Sequence, residues 1–292
     1  ASNIGGTATL IGDPPNIMIG SAVGLHFNDF ILNLAPIAVV ILLLFLAPLY
    51  FIWGRHLETS VERRQKVMNY READAITDHR LLWQSLFVIT IVIIGFTMSH
   101  TLGAEPATIA LFGAALLLVL DNLPRNIDEQ SETVQKSFGE VEWVTIFFFM
   151  GLFVVVYGVE TVGILEMLAE HVISLTGGDR NVTAMAILWV SAVASAIVDN
   201  IPFVATMIPL IESMAIDFGG SEQLMPLWWS LALGSCLGGN GSLIGASANL
   251  IVAGFAERSG QPIRFLPFML MAFPLMIASI LISSVYVYLR YF

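Results

Sequence analysis

The residues that could do chemistry in this sequence fall into two segments of one pattern. Ser2-Asn3-Ile4-Gly5-Gly6-Thr7-Ala8-Thr9-Leu10-Ile11-Gly12-Asp13-Pro14-Pro15-Asn16 lies without a gap over Ser235-Cys236-Leu237-Gly238-Gly239-Asn240-Gly241-Ser242-Leu243-Ile244-Gly245-Ala246-Ser247-Ala248-Asn249, with seven of fifteen positions identical. Glycine weakens a helix, and polar groups in hydrocarbon cost energy unless paired. Both copies are therefore expected as broken helices facing the protein interior, with breaks near Gly5-Gly6 and Gly238-Gly239. Half-helix N-termini would offer N–H groups to an anion, and exposed carbonyls with Asn, Ser and Thr oxygens would suit a small cation. The competing explanation is close helix packing through small residues. Packing alone asks neither for Asn16, Asn240 and Asn249 nor for the same order of residues twice.

Two carboxylates add to this. Most of the 23 acidic residues fall in loops, which leaves Asp13 and Asp199 inside apolar sequence. Asp199 is the only acid between Asp179 and Glu212. A carboxylate held at membrane depth is expensive and points to proton or cation coupling, with Asn200, Asn240 and Asn249 as expected partners of Asp199. Each also has a structural explanation. Asp199 or Asn200 could cap a helix with Pro202 in its first turn, and Asp13-Pro14 could be a plain turn, the second copy having Ala246 at that position. Glu160 and Glu212 flank apolar runs and are expected at the interface.

The elements that must position these residues are membrane spans. With 292 residues, mean hydropathy +0.81, 57% hydrophobic and 12% charged residues, the chain is too apolar for a soluble domain. Gln223 to Ala256 and Phe265 to Leu289 contain no charged residue at all. Spans are expected at Asn33 to Trp53, Leu81 to Ser99 and Phe265 to Leu289, with shorter ones at Pro106 to Leu120 and Trp143 to Val159. Asn181 to Val198 followed by Asn200 to Ile211 reads either as a re-entrant hairpin with Asp199-Asn200-Ile201-Pro202 at its tip or as one kinked span. Six of twelve basic residues, Arg55, Arg63, Arg64, Lys66, Arg71 and Arg80, lie in one loop, which places it in the cytoplasm. The first repeat copy then runs outward and the second inward, the pattern of an inverted-repeat secondary transporter.

Several function classes are excluded on the same grounds. A net charge of −11 argues against nucleic acid. One cysteine, Cys236, excludes a disulfide framework, and the five histidines lack metal-ligand spacing. No His-Glu-x-x-His, Gly-x-Ser-x-Gly or Walker sequence occurs, so neither hydrolysis nor ATP-driven transport is expected. A channel-like pathway lined by the same broken helices stays open.

The motifs Ser2-Asn3-Ile4-Gly5-Gly6, Ile11-Gly12-Asp13-Pro14-Pro15-Asn16, the run from Ser195 through Asp199-Asn200-Ile201-Pro202 to Pro209, and Cys236 to Asn249 resemble the P-protein branch of the ion transporter superfamily, which also holds arsenite permeases, a sodium/proton antiporter family and citrate-transporter-like proteins. The resemblance spans essentially the whole chain. It implies an all-α, polytopic inverted-repeat transporter with broken helices and a re-entrant hairpin, working as an elevator and forming a homodimer in the lipid bilayer of a bacterial or archaeal inner membrane. The superfamily also holds divalent-anion/sodium symporters, whose hairpin tips carry Ser-Asn-Thr; this sequence has Asp199-Asn200-Ile201-Pro202 there. On this reading residues 1–292 are the C-terminal part of a longer permease. Residues 1–20 are a broken helix ending repeat 1, 54–80 a cytoplasmic loop, and 143–292 repeat 2, with a hairpin at about 181–217 and a broken helix at about 226–257. The expected ion and substrate residues are Asn3, Gly5, Gly6, Thr7, Asp13, Asn16, Asp199, Asn200, Gly238, Gly239, Asn240, Gly241, Ser247 and Asn249. No cofactor is expected; Na+ or H+ would couple movement of a small inorganic or organic anion, with sodium/proton exchange as the alternative.

Overall fold

A computed structural model describes residues 1–52, 54–56, 61–69, 76 and 78–292. Helices are its only regular elements among the described residues, because the apolar runs are too long for strands and hydrocarbon leaves no backbone group unpaired. In chain order they are α1 (Ser2–Thr7), α2 (Pro14–Val23), α3 (Phe27–Ile52), α4 (Val61–Met68), α5 (His79–Thr97), α6 (Ser99–Leu102), α7 (Pro106–Asn122), α8 (Ile127–Gly139), α9 (Trp143–Thr161), α10 (Ile164–Thr176), α11 (Arg180–Ile197), α12 (Asn200–Ser213), α13 (Ala215–Phe218), α14 (Met225–Gly238), α15 (Ser247–Arg258) and α16 (Phe265–Tyr291). Among the described residues α3, α5, α11 and α16 are long and apolar enough to cross a membrane. Their outward faces carry Leu43, Phe87, Val190 and Leu270, all exposed, as lipid rather than water requires.

The chain divides into two compact units, residues 1–46 with 147–292, and residues 47–146. In the second unit α5 and α7 run antiparallel. Gly95 lies against Ile109 and Gly113 against Val92, and both Arg80 and Gln84 donate to the Leu120 carbonyl at 3.0 Å. Asp78 caps α5 by accepting from the Arg80 and Leu81 N–H groups. These bonds, and the charge of Arg80, hold its carboxyl below the usual carboxylate range. The expected basic loop falls here, with Arg71 and the side chains of Arg63 and Lys66 outside the described residues.

The first unit is organised around α14, whose residues from Pro226 to Gly238 are all buried. A helix apolar on every face belongs in the core, and Trp229 meets the edge of Phe30 from α3 with ring centroids 5.2 Å apart. α11 packs along α14 in the same direction: Gly234 lies against the Leu188 carbonyl and Gly238 against that of Ala192. A Cβ on either glycine would come within 2.5 Å of those oxygens, so only hydrogen fits there. After the Val198–Asp199 turn α12 runs back, and Arg180 at the start of α11 hydrogen-bonds Gln223 just before α14. α11 and α12 thus form a helical hairpin rather than one kinked rod.

Two features depart from the sequence reading. The Trp143 segment does not end as a simple span: beyond Thr161 the chain bends by 69° into α10, with Gly163 in the left-handed region (φ 76°) making the corner. The apolar count shows where a span could lie but not where a left-handed glycine turns it aside. The first break also begins later than its glycine pair, whereas α14 ends at Gly238, at the second pair, as expected. Gly5 and Gly6 lie within α1, and the chain leaves the helix only between Thr7 and Pro14.

Candidate functional site

The two repeat copies adopt the same local structure. In the first, Gly6 and Gly12 face each other across the break: a Cβ on Gly6 would lie 2.5 Å from the Gly12 carbonyl oxygen, and one on Gly12 would lie 2.4 Å from that of Gly6. In the second, Gly239 and Gly245 occupy the equivalent places, with 2.7 Å and 2.9 Å for the same pair of contacts. The closing asparagines do the same job. Asn16 Nδ2 donates to the Thr7 and Thr9 carbonyls at 3.1 and 2.9 Å, and Asn249 Nδ2 to those of Gly239 and Ser242 at 2.9 Å each. Thr9 and Ser242 are equivalent positions. Each asparagine satisfies carbonyls that the break strips of helical partners, which explains why an amide recurs there.

The helices after the breaks start alike too. Asp13 (φ −145°, ψ 136°) and Ala246 (φ −155°, ψ 141°) are equivalent N-caps. Their side chains differ in kind, and so do the first turns that follow. Pro14 and Pro15 leave the start of α2 without two N–H groups, whereas Ser247 and Ala248 present theirs at the start of α15 with no intrahelical acceptor.

The copies cross in opposite directions. Asn3 donates to Asn240 and Asn249 at 3.3 and 3.4 Å, Asn16 accepts from the Cys236 thiol at 3.4 Å, and Ala22 and Val23 share a cavity with Met225 and Trp228. Position along the first copy therefore rises as position along α14 falls. The helices that follow the two copies meet where α3 begins and α16 ends: Tyr286 and Tyr291 donate to Asn33 at 2.6 and 2.8 Å, and Arg290 donates to the Leu32 carbonyl at 3.0 Å.

At the crossing the hairpin tip meets both breaks around a cavity of about 90 Å³, lined by Ser2, Asn3, Gly12, Asp13, Pro14, Asn200, Ala246, Ser247 and Ala248. Asn200 Nδ2 donates to Asp13 Oδ1 at 3.4 Å, joining the tip to the first break. The remaining expected residues do not line this cavity. Asn240 and Asn249 hold Asn3, while the Thr7 hydroxyl, fully buried, donates to the Asn3 carbonyl at 2.7 Å. Gly6 and Gly239 pack the breaks, Gly238 packs against α11, and Gly241 lies against Ala196 and Met276. Gly5 has nothing within 4 Å of where a Cβ would be. The Asp199 carboxylate accepts from the Ile201 N–H at 3.1 Å and so caps α12.

Some contributors were not singled out from sequence. Gly12 and Gly245 carried a usable signal, being identical in the two copies and six residues after a glycine pair. Ser2, Pro14, Ala246 and Ala248 reach the cavity only through the crossing, for which their types give no hint.

Comparison with known proteins agrees with the geometry. A family model described as "Citrate transporter" matches residues 1–234. An uncharacterized transporter of Mycobacterium tuberculosis is 41% identical over 292 residues, covering 100% of this chain and 66% of the relative. A 46 kDa membrane protein of Mycobacterium leprae is 36% identical over 291 residues, with the same shares. The P protein of Sus scrofa is 30% identical over 361 residues, covering 98% of this chain and 42% of that protein. The chain thus spans just under two-thirds of the length of the first of these relatives. With its apolar helices it is part of an integral, multi-pass membrane protein, and it belongs to the citrate transporter family.

Proposed function

We propose that the protein is a secondary active transporter of the arsenite-permease and P-protein type, moving a small inorganic or organic anion across the membrane with Na+ or H+ as the coupling ion. The observation that carries this reading is the duplicated helix break, built twice in opposite directions around one polar cavity. A receptor or scaffold has no use for such a device. Breaks of this kind expose backbone groups to a ligand at membrane depth while every other backbone group stays paired.

The difference between the two N-termini supports an anion. The start of α15 brings the Ser247 and Ala248 N–H groups and the positive end of the helix dipole to the cavity with no acidic side chain of its own, an arrangement suited to a carboxylate or oxyanion. The cavity opens past Ser2, Pro14 and Ser247, which are exposed, so a ligand larger than 90 Å³ could rest one anionic end there. The family model's description, which names citrate, favours a carboxylate-bearing substrate among these.

Uptake by the full-length protein in proteoliposomes tests this, with citrate, arsenite and chloride offered in turn, with and without inward Na+ and H+ gradients. Saturable uptake of at least one anion, accelerated by a cation gradient, is the expected result. Unsaturable flux that follows voltage alone would replace the transporter with a channel. Sodium/proton exchange without anion movement would replace the substrate.

A further inference from the structure

We infer that Asp13, rather than Asp199, is the carboxylate that binds the coupling cation, at a site for a sodium-sized ion formed where the first break meets the hairpin tip. The inference rests on the transporter reading and assigns one ligand of its site.

The argument starts from what Asp13 cannot do. An N-cap carboxylate ordinarily accepts from the N–H of the second or third helical residue. Here the second residue is Pro15, which has no N–H, and the N–H of the third, Asn16, is bonded to the Asp13 carbonyl at 3.0 Å. The Asp13 side chain accordingly makes no capping bond. The turn does not need it either, because Ala246 holds the same backbone conformation at the equivalent position with a methyl group. Asp13 is thus a carboxylate that neither the cap nor the turn explains. Asp199 is the opposite case, since its carboxylate accepts from the Ile201 N–H and so has the capping role that Asp13 lacks.

What Asp13 does face is the cavity. An ionised carboxylate has about four acceptor positions; Asn200 fills one of them at 3.4 Å, and the Cys236 thiol is within hydrogen-bonding reach of another. Among the described residues no Lys or Arg lines the cavity, so no cationic side chain pairs with Asp13 there. Other oxygen-bearing side chains line the same cavity. Asn200 uses its amide nitrogen on Asp13, and Asn3 uses its own on Asn240 and Asn249, which leaves both side-chain oxygens as acceptors; Ser2 and Ser247 add hydroxyls. A carboxylate with amide and hydroxyl oxygens is the donor set of a hard cation. A proton would need the carboxylate alone. A bound cation would also draw Asn200 at the hairpin tip and Asp13 at the first break onto one charge, linking occupancy to the closeness of two separate elements.

Cation binding can be measured apart from transport. The purified full-length protein in detergent is titrated with NaCl at constant ionic strength, choline chloride making up the balance, following tryptophan fluorescence and melting temperature. The expected result is a saturable sodium response, weakened at least ten-fold in Asp13→Asn and kept within a few-fold in Asp199→Asn. Asp13→Asn should melt like the unaltered protein in choline alone, which shows that it folds. Absence of any saturable sodium response, or loss of the response in Asp199→Asn with retention in Asp13→Asn, would overturn the assignment. Anion uptake that persists in either case would leave the transporter reading standing.

Discussion

The packing of the second break makes a quantitative prediction at Gly245. A Cβ there would lie 2.6 Å from the Ser195 carbonyl oxygen, 2.9 Å from that of Gly239 and 3.1 Å from the Gly239 Cα. The closest of these is about 0.8 Å inside an ordinary van der Waals contact. All three neighbours are backbone atoms, so no side chain can swing aside. Gly245→Ala must instead push the break away from α11 or from the end of α14, and overpacking of this kind costs about 1–3 kcal/mol. The matched control is Gly5→Ala, where nothing lies within 4 Å and the residue is helical, so alanine should gain up to about 1 kcal/mol of helix propensity. At roughly 2–4 °C per kcal/mol for a protein of this size, heating the detergent-solubilised protein and following the monodisperse fraction should show Gly245→Ala melting several degrees lower and Gly5→Ala unchanged or slightly higher. Because membrane proteins often unfold irreversibly, the ranking at one fixed heating rate is the reading that counts. Equal melting temperatures for Gly245→Ala, Gly5→Ala and the unaltered protein would refute the close approach and, with it, the equivalence of the two breaks.

Asn16→Asp keeps the shape of the side chain but turns a donor to two carbonyls into an acceptor; the loss should be about 2–5 kcal/mol, and Asn249→Asp should lower the melting temperature in the same sense. If either aspartate variant melts with the unaltered protein, the cross-braces are not structural. Acidification should loosen the start of α5: the Asp78 carboxyl is held below its usual value of 3.8, so its cap is intact above that pH and is lost as pH falls through the lower folded value, a change that hydrogen exchange at the α5 N-terminus would follow. Exchange there that does not respond to pH between about 5 and 2, after correction for the intrinsic rate, would show the cap to be idle. A cysteine at Asn69, in a background with Cys236→Ser and any other native cysteine replaced, should react with an impermeant maleimide only after the cells are opened, because the Arg55 to Arg80 loop is basic. Labelling of intact cells would reverse the orientation of every span.

By itself the sequence determined the class of the protein and the location of its unusual segments. Uninterrupted apolar runs such as Phe265 to Leu289 admit no other structure than a helix in hydrocarbon, because a backbone there must satisfy its own hydrogen bonds. The repeated order Ser-x-x-Gly-Gly, then Leu-Ile-Gly, then Asn was legible for a related reason: Gly6, Gly12 and Asn16, like Gly239, Gly245 and Asn249, are required by contacts within fifteen residues, so each copy records its own geometry. Tertiary structure alone decided what these segments do together. Asp13 and Asp199 look alike in sequence, each an acid set in apolar surroundings, and only the crossing of the first break with the hairpin tip turns Asp13 toward the cavity while the α12 N-terminus takes up Asp199. The bend at Gly163 was equally hidden, since nothing in an apolar count marks a left-handed glycine. Contacts between residues far apart, such as Asn3 with Asn240 or Asn200 with Asp13, depend on how the helices cross, and helix crossings are set by the sum of many small packing contacts that no local pattern reports.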